Sequence, residues 1–129
     1  MAGELILIVE DNENNRMLVR DVLQSRGYRT EETDTGEEGL RLAQASRPAL
    51  ILMDIQLPGI NGMEALKRLR ADAATREIPV MAVTASAMTH DRQKIMASGF
   101  DAYQSKPINV REFVEAVRAV LAKRQSPAP

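Results

Sequence analysis

Short apolar runs alternate along the chain with longer segments in which apolar residues recur every three or four positions. Three runs are apolar almost without a break: Leu5-Ile6-Leu7-Ile8-Val9, Ala49-Leu50-Ile51-Leu52-Met53 and Pro79-Val80-Met81-Ala82-Val83. Strands covered on both faces read this way. Tyr28 to Thr33 alternates with polar residues, as an edge strand does, and Phe100 to Gln104 reads as a weaker fifth strand. Pro79 falls at the first residue of its strand, where a missing N–H is tolerated.

Between the strands, helices are predicted near Glu13–Arg26, Gly36–Ser46, Gly62–Ala71, Ala87–Ser98 and Asn109–Lys123. The last is the clearest, because Val110, Phe113, Val114, Val117, Val120 and Leu121 repeat at helical spacing. Thr35 with Glu38 fits a capping box, and Asn61 with Glu64 is a looser version. Gly27 and Gly99 stand just past a helix, where a left-handed cap is expected. A strand–helix unit repeated five times predicts parallel strands joined by right-handed crossovers. The expected fold is α/β, a three-layer (βα)5 sandwich around a flavodoxin-like five-stranded parallel sheet in the order 2-1-3-4-5. The expected domain spans 1–124, and the polar, proline-bearing residues 125–129 form a tail expected to be disordered.

The 129 residues set one domain as the natural size, and 44% apolar with 27% charged residues is ordinary globular composition. The absence of cysteine excludes disulfides, thiol catalysis and zinc–thiolate sites, and a single histidine, His90, excludes a poly-histidine metal centre. A net charge of -1 gives no support to direct nucleic-acid binding. No apolar run approaches the roughly 20 residues of a membrane span, and Met1-Ala2-Gly3-Glu4 lacks the basic start of a signal peptide. A soluble cytoplasmic protein is expected.

In an open parallel sheet, ligands bind beyond the carboxyl ends of the strands where the strand order reverses. Glu10 and Asp11 follow strand 1, Asp54 follows strand 3, Thr84 ends strand 4, and Lys106-Pro107 follows strand 5. Three carboxylates in one place repel, and a hard divalent cation relieves that repulsion. Oxygen-only ligands point to Mg2+, with Mn2+ as a substitute. A lysine and a hydroxyl beside such a cation suit phosphoryl transfer, where positioning and charge neutralisation do most of the work.

Four segments make the chain resemble a response-regulator receiver domain of the CheY-like superfamily: Ile8-Val9-Glu10-Asp11-Asn12, Leu52 through Gly62, Val83-Thr84-Ala85 and Ser105-Lys106-Pro107. The likeness extends over about residues 4 to 123, and its wording is most similar to single-domain regulators of the DivK type. The resemblance implies a phosphorelay protein that takes a phosphoryl group from phosphohistidine onto Asp54. It further implies Asp11, Asp54 and the backbone carbonyl of Gln56 as Mg2+ ligands, with Glu10 acting through water. Lys106 would bridge to Asp54 and to the phosphoryl group, Thr84 would donate to it, and the Lys106–Pro107 bond would be cis. Tyr103 would turn inward with Thr84 and reshape the face of helix 4, strand 5 and helix 5. Gln56 and Ser86 would neighbour the attacking water. The implied partners are a sensor histidine kinase or histidine phosphotransferase and a downstream protein, with no nucleic acid bound directly, no membrane, and a monomer or weak dimer. No enzymatic activity is implied beyond phosphorylation and slow dephosphorylation of Asp54 itself.

Plainer readings exist for each residue. Asp11 and Asn12 could cap helix 1, Asp54 could open a turn, and Lys106 could be a solvated surface lysine. Tyr103 could be half-buried packing. His90 is assigned no role, and the methionines are expected mostly in the core, with Met88 and Met96 as exceptions on the output face. Among whole functions, an aspartate-nucleophile phosphatase is disfavoured because Gln56 stands where the general acid would be. A flavodoxin-like nucleotide or flavin module is disfavoured because carboxylates occupy its phosphate loop. A receiver fragment of a hybrid kinase remains the alternative, with Met1 favouring the single-domain regulator.

Overall fold

The alternation of apolar runs and amphipathic segments resolves into ten elements. These are β1 (Leu5–Val9), α1 (Glu13–Ser25), β2 (Arg29–Thr33), α2 (Gly36–Ser46), β3 (Leu50–Asp54), α3 (Gly62–Ala71), β4 (Val80–Thr84), α4 (Thr89–Ala97), β5 (Ala102–Ser105) and α5 (Val110–Gln125). The computed structural model describes residues 3–85 and 89–125, apart from the side chains of residues 89–91, 124 and 125. Ser86, Met88, the His90 side chain and residues 126–129 lie outside the described part. Gln125 still belongs to α5, which extends the helix one residue into the expected tail.

All strands are parallel and their order is β2-β1-β3-β4-β5. β1, β3 and β4 are central and nearly or fully buried, whereas β2 is an edge with alternating polar residues. Successive strand side chains point to opposite faces. Leu7, Val9, Ile51, Met53, Val80 and Ala82 therefore pack with Ala43 of α2, Leu66 of α3 and Ile95 of α4. Ile6, Ile8, Leu50, Leu52, Met81 and Val83 pack on the other face with Val19 and Leu23 of α1 and Phe113 and Val117 of α5. Phe113 is fully buried, and burial of such a side chain is worth about 1.5–3 kcal/mol.

Local signals set the element ends. Asn12, Thr35 and Asn61 accept hydrogen bonds from the amides of Asn15, Glu38 and Glu64 at 3.0, 3.2 and 2.9 Å, which caps α1, α2 and α3. The two expected capping boxes form only this half of the motif, because Glu38 pairs with Arg41 and Glu64 with Arg68 instead. Gly27 and Gly99 adopt φ of 91° and 109° after α1 and α4. α2 ends without glycine: Arg47 takes the left-handed conformation at φ 46°.

The expected strands shift by one or two residues. Ala49 and Pro79 precede their ladders, and β5 starts at Ala102 because Phe100 is buried beneath the turn that follows α4. Of the methionines, Met53 and Met81 are core residues and Met96 is exposed, as expected; Met17 is not core but 40% exposed on α1.

Candidate functional site

The sheet register assembles the rim one residue at a time. Val9 pairs with Met53, so Glu10 falls beside Asp54. Asp54 pairs with Val83, which places Thr84 one residue further along β4, and Thr84 pairs with Ser105, which places Lys106 just beyond β5. Glu10, Asp11 and Asp54 each offer a carboxylate oxygen within 4.8 Å of the others. Glu10 and Asp54 are buried, Thr84 is wholly buried, and Asp11 is exposed at the mouth of the cluster.

Lys106 is drawn into this cluster and is not a surface lysine. Its Nζ lies 2.6 Å from Glu10 Oε1 and 3.0 Å from Asp54 Oδ2. Burial opposes its charge, but the two carboxylates outweigh that effect and raise its pKa above the ordinary lysine value. Burial raises the Glu10 carboxyl to about 7, against the Lys106 ammonium and the Asn12 amide, and the neighbouring Asp54 pushes it the same way. The Asn12 amide donates to Glu10 Oε2 at 3.1 Å and the Gln56 amide donates to Asp54 Oδ1 at 3.1 Å. Residue 56 thus abuts the Asp54 carboxylate through its backbone. The Lys106–Pro107 bond is cis.

The helix-capping explanation holds for Asn12 alone, since Asn12 supplies the cap oxygen of α1 and Asp11 stays at the rim. Tyr103 is half-buried against the core, with the Arg92 guanidinium 5.5 Å from its ring centroid, a cation–π distance. The first residue of α3 lies tight against the end of β3. A Cβ on Gly62 would meet the Asp54 carbonyl oxygen at 2.3 Å, and Gly59 takes φ 72° beside the Glu37 carboxylate.

A groove of about 790 Å³ lies at the opposite end of the sheet, with Arg47, Arg70, Arg76, Asp101 and Lys123 in its lining. Arg47, Arg70 and Lys123 sit at the carboxyl ends of α2, α3 and α5, where cations complement the helix dipoles. That end of the molecule is accounted for structurally. Arg16, which the motifs did not single out, donates from Nη1 to the Glu10 carbonyl at 2.9 Å behind the cluster.

No helix among the described residues is long and apolar enough to cross a membrane. The sequence model of the response regulator receiver domain matches residues 6–118. The chain is 50% identical over 116 residues to the polar-differentiation response regulator DivK of Brucella anthropi, covering 90% of this chain and 94% of that protein. The DivK of Brucella ovis is 49% identical over the same length and coverage. The receiver domain of a sensor histidine kinase from Pseudomonas aeruginosa PAO1 has a crystal structure with a magnesium ion coordinated in its active-site cleft. It superposes with a TM-score of 0.86 at 34% identity, over 94% of this chain and 99% of that one. The chemotaxis response regulator CheY4 of Vibrio cholerae superposes with a TM-score of 0.86 at 27% identity, covering 92% and 99%. By sequence and by fold, the chain belongs to the response regulator receiver domain family.

Proposed function

We propose that the protein is the phosphoacceptor of a two-component phosphorelay, with Asp54 as the residue modified. The carrying observation is the meeting of three carboxylates and one ammonium at a single sheet edge, with Lys106 3.0 Å from Asp54. In the transfer, an Asp54 carboxylate oxygen forms an O–P bond as the N–P bond of a partner's phosphohistidine breaks, and the departing imidazole nitrogen takes up a proton. Asp54 loses its own negative charge in forming the acyl phosphate and gains the phosphoryl oxygens, to which Lys106 and Thr84 would donate.

The donor set suits Mg2+: oxygen ligands only, with two of the three carboxylates buried. Asp11, Asp54 and the Gln56 carbonyl would hold the ion, with Glu10 through water, and Mn2+ would substitute. Bound there, the cation would neutralise charge on the carboxylates and the incoming phosphoryl oxygens. The Pseudomonas receiver domain with magnesium in its cleft supports this choice.

The output of the protein is binding. A change at Thr84 is relayed to Tyr103, which lies half-buried beside α4, and the α4–β5–α5 face alters its partner preference. Exposed Met17 and Leu18 on α1, close to the rim, suit docking of a histidine kinase or histidine phosphotransferase. The likeness to DivK, higher than that to the kinase receiver, favours a cytoplasmic single-domain regulator over a piece of a hybrid kinase. Gln56, whose carboxamide cannot titrate where a general acid would stand, speaks against the phosphatase, and the carboxylates after β1 speak against the flavin or nucleotide module.

The test is intact-protein mass after incubation with acetyl phosphate, with Mg2+ or with chelator. Wild type should gain one phosphoryl group only with Mg2+, and Asp54→Asn should gain none while keeping its fold. An adduct that persists in Asp54→Asn would remove Asp54 as the acceptor.

A further inference from the structure

The ladder between β1 and β2 ends at the pair Val9 and Thr33, and the next residue, Glu10, makes one backbone bond to β2 and one to a side chain. Its N–H is held by the Thr33 carbonyl at 3.0 Å. Its carbonyl receives Nη1 of Arg16 at 2.9 Å. That carbonyl belongs to the peptide unit whose nitrogen is Asp11, so the bond from Arg16 fixes the plane from which the Asp11 side chain departs.

Arg16 is itself held. Its amide bonds the Asn12 carbonyl at 2.9 Å, in the first turn of α1. Its Nε lies 3.4 Å from Glu32 Oε1 on β2, and Arg20 Nη1 reaches the same oxygen at 3.7 Å. The side chain is 19% exposed, so the guanidinium is mostly enclosed between helix, strand and loop. A planar guanidinium serves two partners on different edges at once, which an ammonium on a flexible stem does less well.

We propose that Arg16 is a positioning residue for the cation site: it locks the Glu10–Asp11 peptide so that both carboxylates face Asp54, and Glu32 holds the guanidinium in that pose. Arg16 touches none of the three carboxylates of the cluster through this bond; it acts through the backbone between two of them. The inference rests on the reading of the rim as a divalent-cation site. Removing groups that orient metal ligands from behind typically weakens metal binding by about 10–100-fold.

The test is direct cation binding to the full chain. Mn2+ binding is followed by the loss of its free electron paramagnetic resonance signal, Mg2+ affinity is obtained by competition, and thermal unfolding is recorded in chelator. Arg16→Met should weaken both cations by about tenfold or more. Arg16→Lys should recover part of the loss, and Glu32→Gln should weaken binding severalfold with Arg16 intact. A purely structural Arg16 would lower the unfolding temperature and leave the folded protein's cation affinity at the wild-type value, which would overturn the proposal. If Arg16→Met does not fold, wild-type affinity in both Arg16→Lys and Glu32→Gln overturns it equally. Failure of the wild-type protein to bind either cation would instead overturn the cation-site reading on which the proposal stands.

Discussion

Lys106 and Asp54 form an ion pair 3.0 Å long between the ends of two strands that are not neighbours, with β4 lying between them. The pair forms because Lys106 follows β5 by one residue and its ammonium turns inward over the end of β4. The same ammonium lies 2.6 Å from Glu10, beyond β3 on the far side of the site. One cation thus spans four adjacent strand ends. It is the fixed positive charge of the rim.

Lys106→Met should separate charge recognition from cation binding. Without the ammonium, Glu10 and Asp54 are freed as ligands and repel each other more strongly, so Mn2+ should bind at least as tightly as in wild type. Phosphoryl uptake from acetyl phosphate should fall by at least about tenfold, because a prepositioned charge next to the accepting oxygen is lost. Rates of adduct formation by mass spectrometry, beside Mn2+ titration, check both halves. Unimpaired uptake would leave Lys106 with a structural role only.

Glu10 predicts a pH dependence of stability. Burial is the largest cause of its pKa of about 7, against an ordinary 4.5, with Asp54 adding to it. The folded protein therefore binds this proton more tightly than the unfolded chain does. The stabilisation is fully present below the unfolded value of 4.5 and is lost as the pH rises through about 7. In chelator, urea denaturation across that window should show stability falling with pH, and Glu10→Gln should flatten the fall. An equally steep profile in the variant would assign the slope to another group.

These charges were legible in the sequence because each follows a strand whose identity the apolar runs declared. β1, β3 and β4 are buried on both faces, so Leu5–Val9, Ala49–Met53 and Pro79–Val83 could be read as strands with errors of a single residue. Phe100 misled the start of β5, since a residue buried under a turn and one buried in a strand look alike in a hydrophobic pattern. The close of α2 was illegible: Arg47 carries the left-handed cap that glycine marks elsewhere. Arg16 and Glu32 escaped notice because their meeting depends on the β1–β2 register and on the angle of α1, neither of which is a local property. Met17 departs from the expectation that the methionines lie mostly in the core, because apolar spacing alone does not distinguish the buried stripe of α1 from a neighbouring exposed position.

Gly62 predicts a steric coupling between helix start and acceptor. It is the first residue of α3, and a methyl group there would sit 2.3 Å from the Asp54 carbonyl oxygen and 2.9 Å from the Ile55 Cα. Both are backbone atoms, so the conflict is relieved only by moving the β3–α3 loop away from the site. Gly62→Ala should destabilise by about 1–3 kcal/mol, the usual range for forced overpacking, despite alanine's better helix propensity. Urea denaturation measures the loss, and phosphoryl uptake should fall with it because Asp54 is displaced. A neutral or stabilising substitution would mean that the loop yields freely.

Arg70 supplies the contrast to Arg16. Nη1 donates to the carbonyls of Arg76 and Ile78 at 3.1 and 2.7 Å, and Nη2 meets Asp101 Oδ2 at 2.9 Å. Asp101 Oδ2 also accepts from the Val80 amide at 2.8 Å, so one guanidinium ties the end of α3 to the entries of β4 and β5. All of this lies at the opposite end of the sheet from Asp54. Arg70→Met should therefore cost about 1.5–3 kcal/mol, as loss of a hydrogen bond to a charged group does. It should leave Mn2+ affinity and phosphoryl uptake per folded molecule unchanged. Measured side by side with Arg16→Met, the two arginines should separate into one that lowers unfolding stability alone and one that lowers cation affinity. A loss of cation affinity in Arg70→Met would show that the two ends of the sheet are coupled, which the separation of their contacts gives no reason to expect.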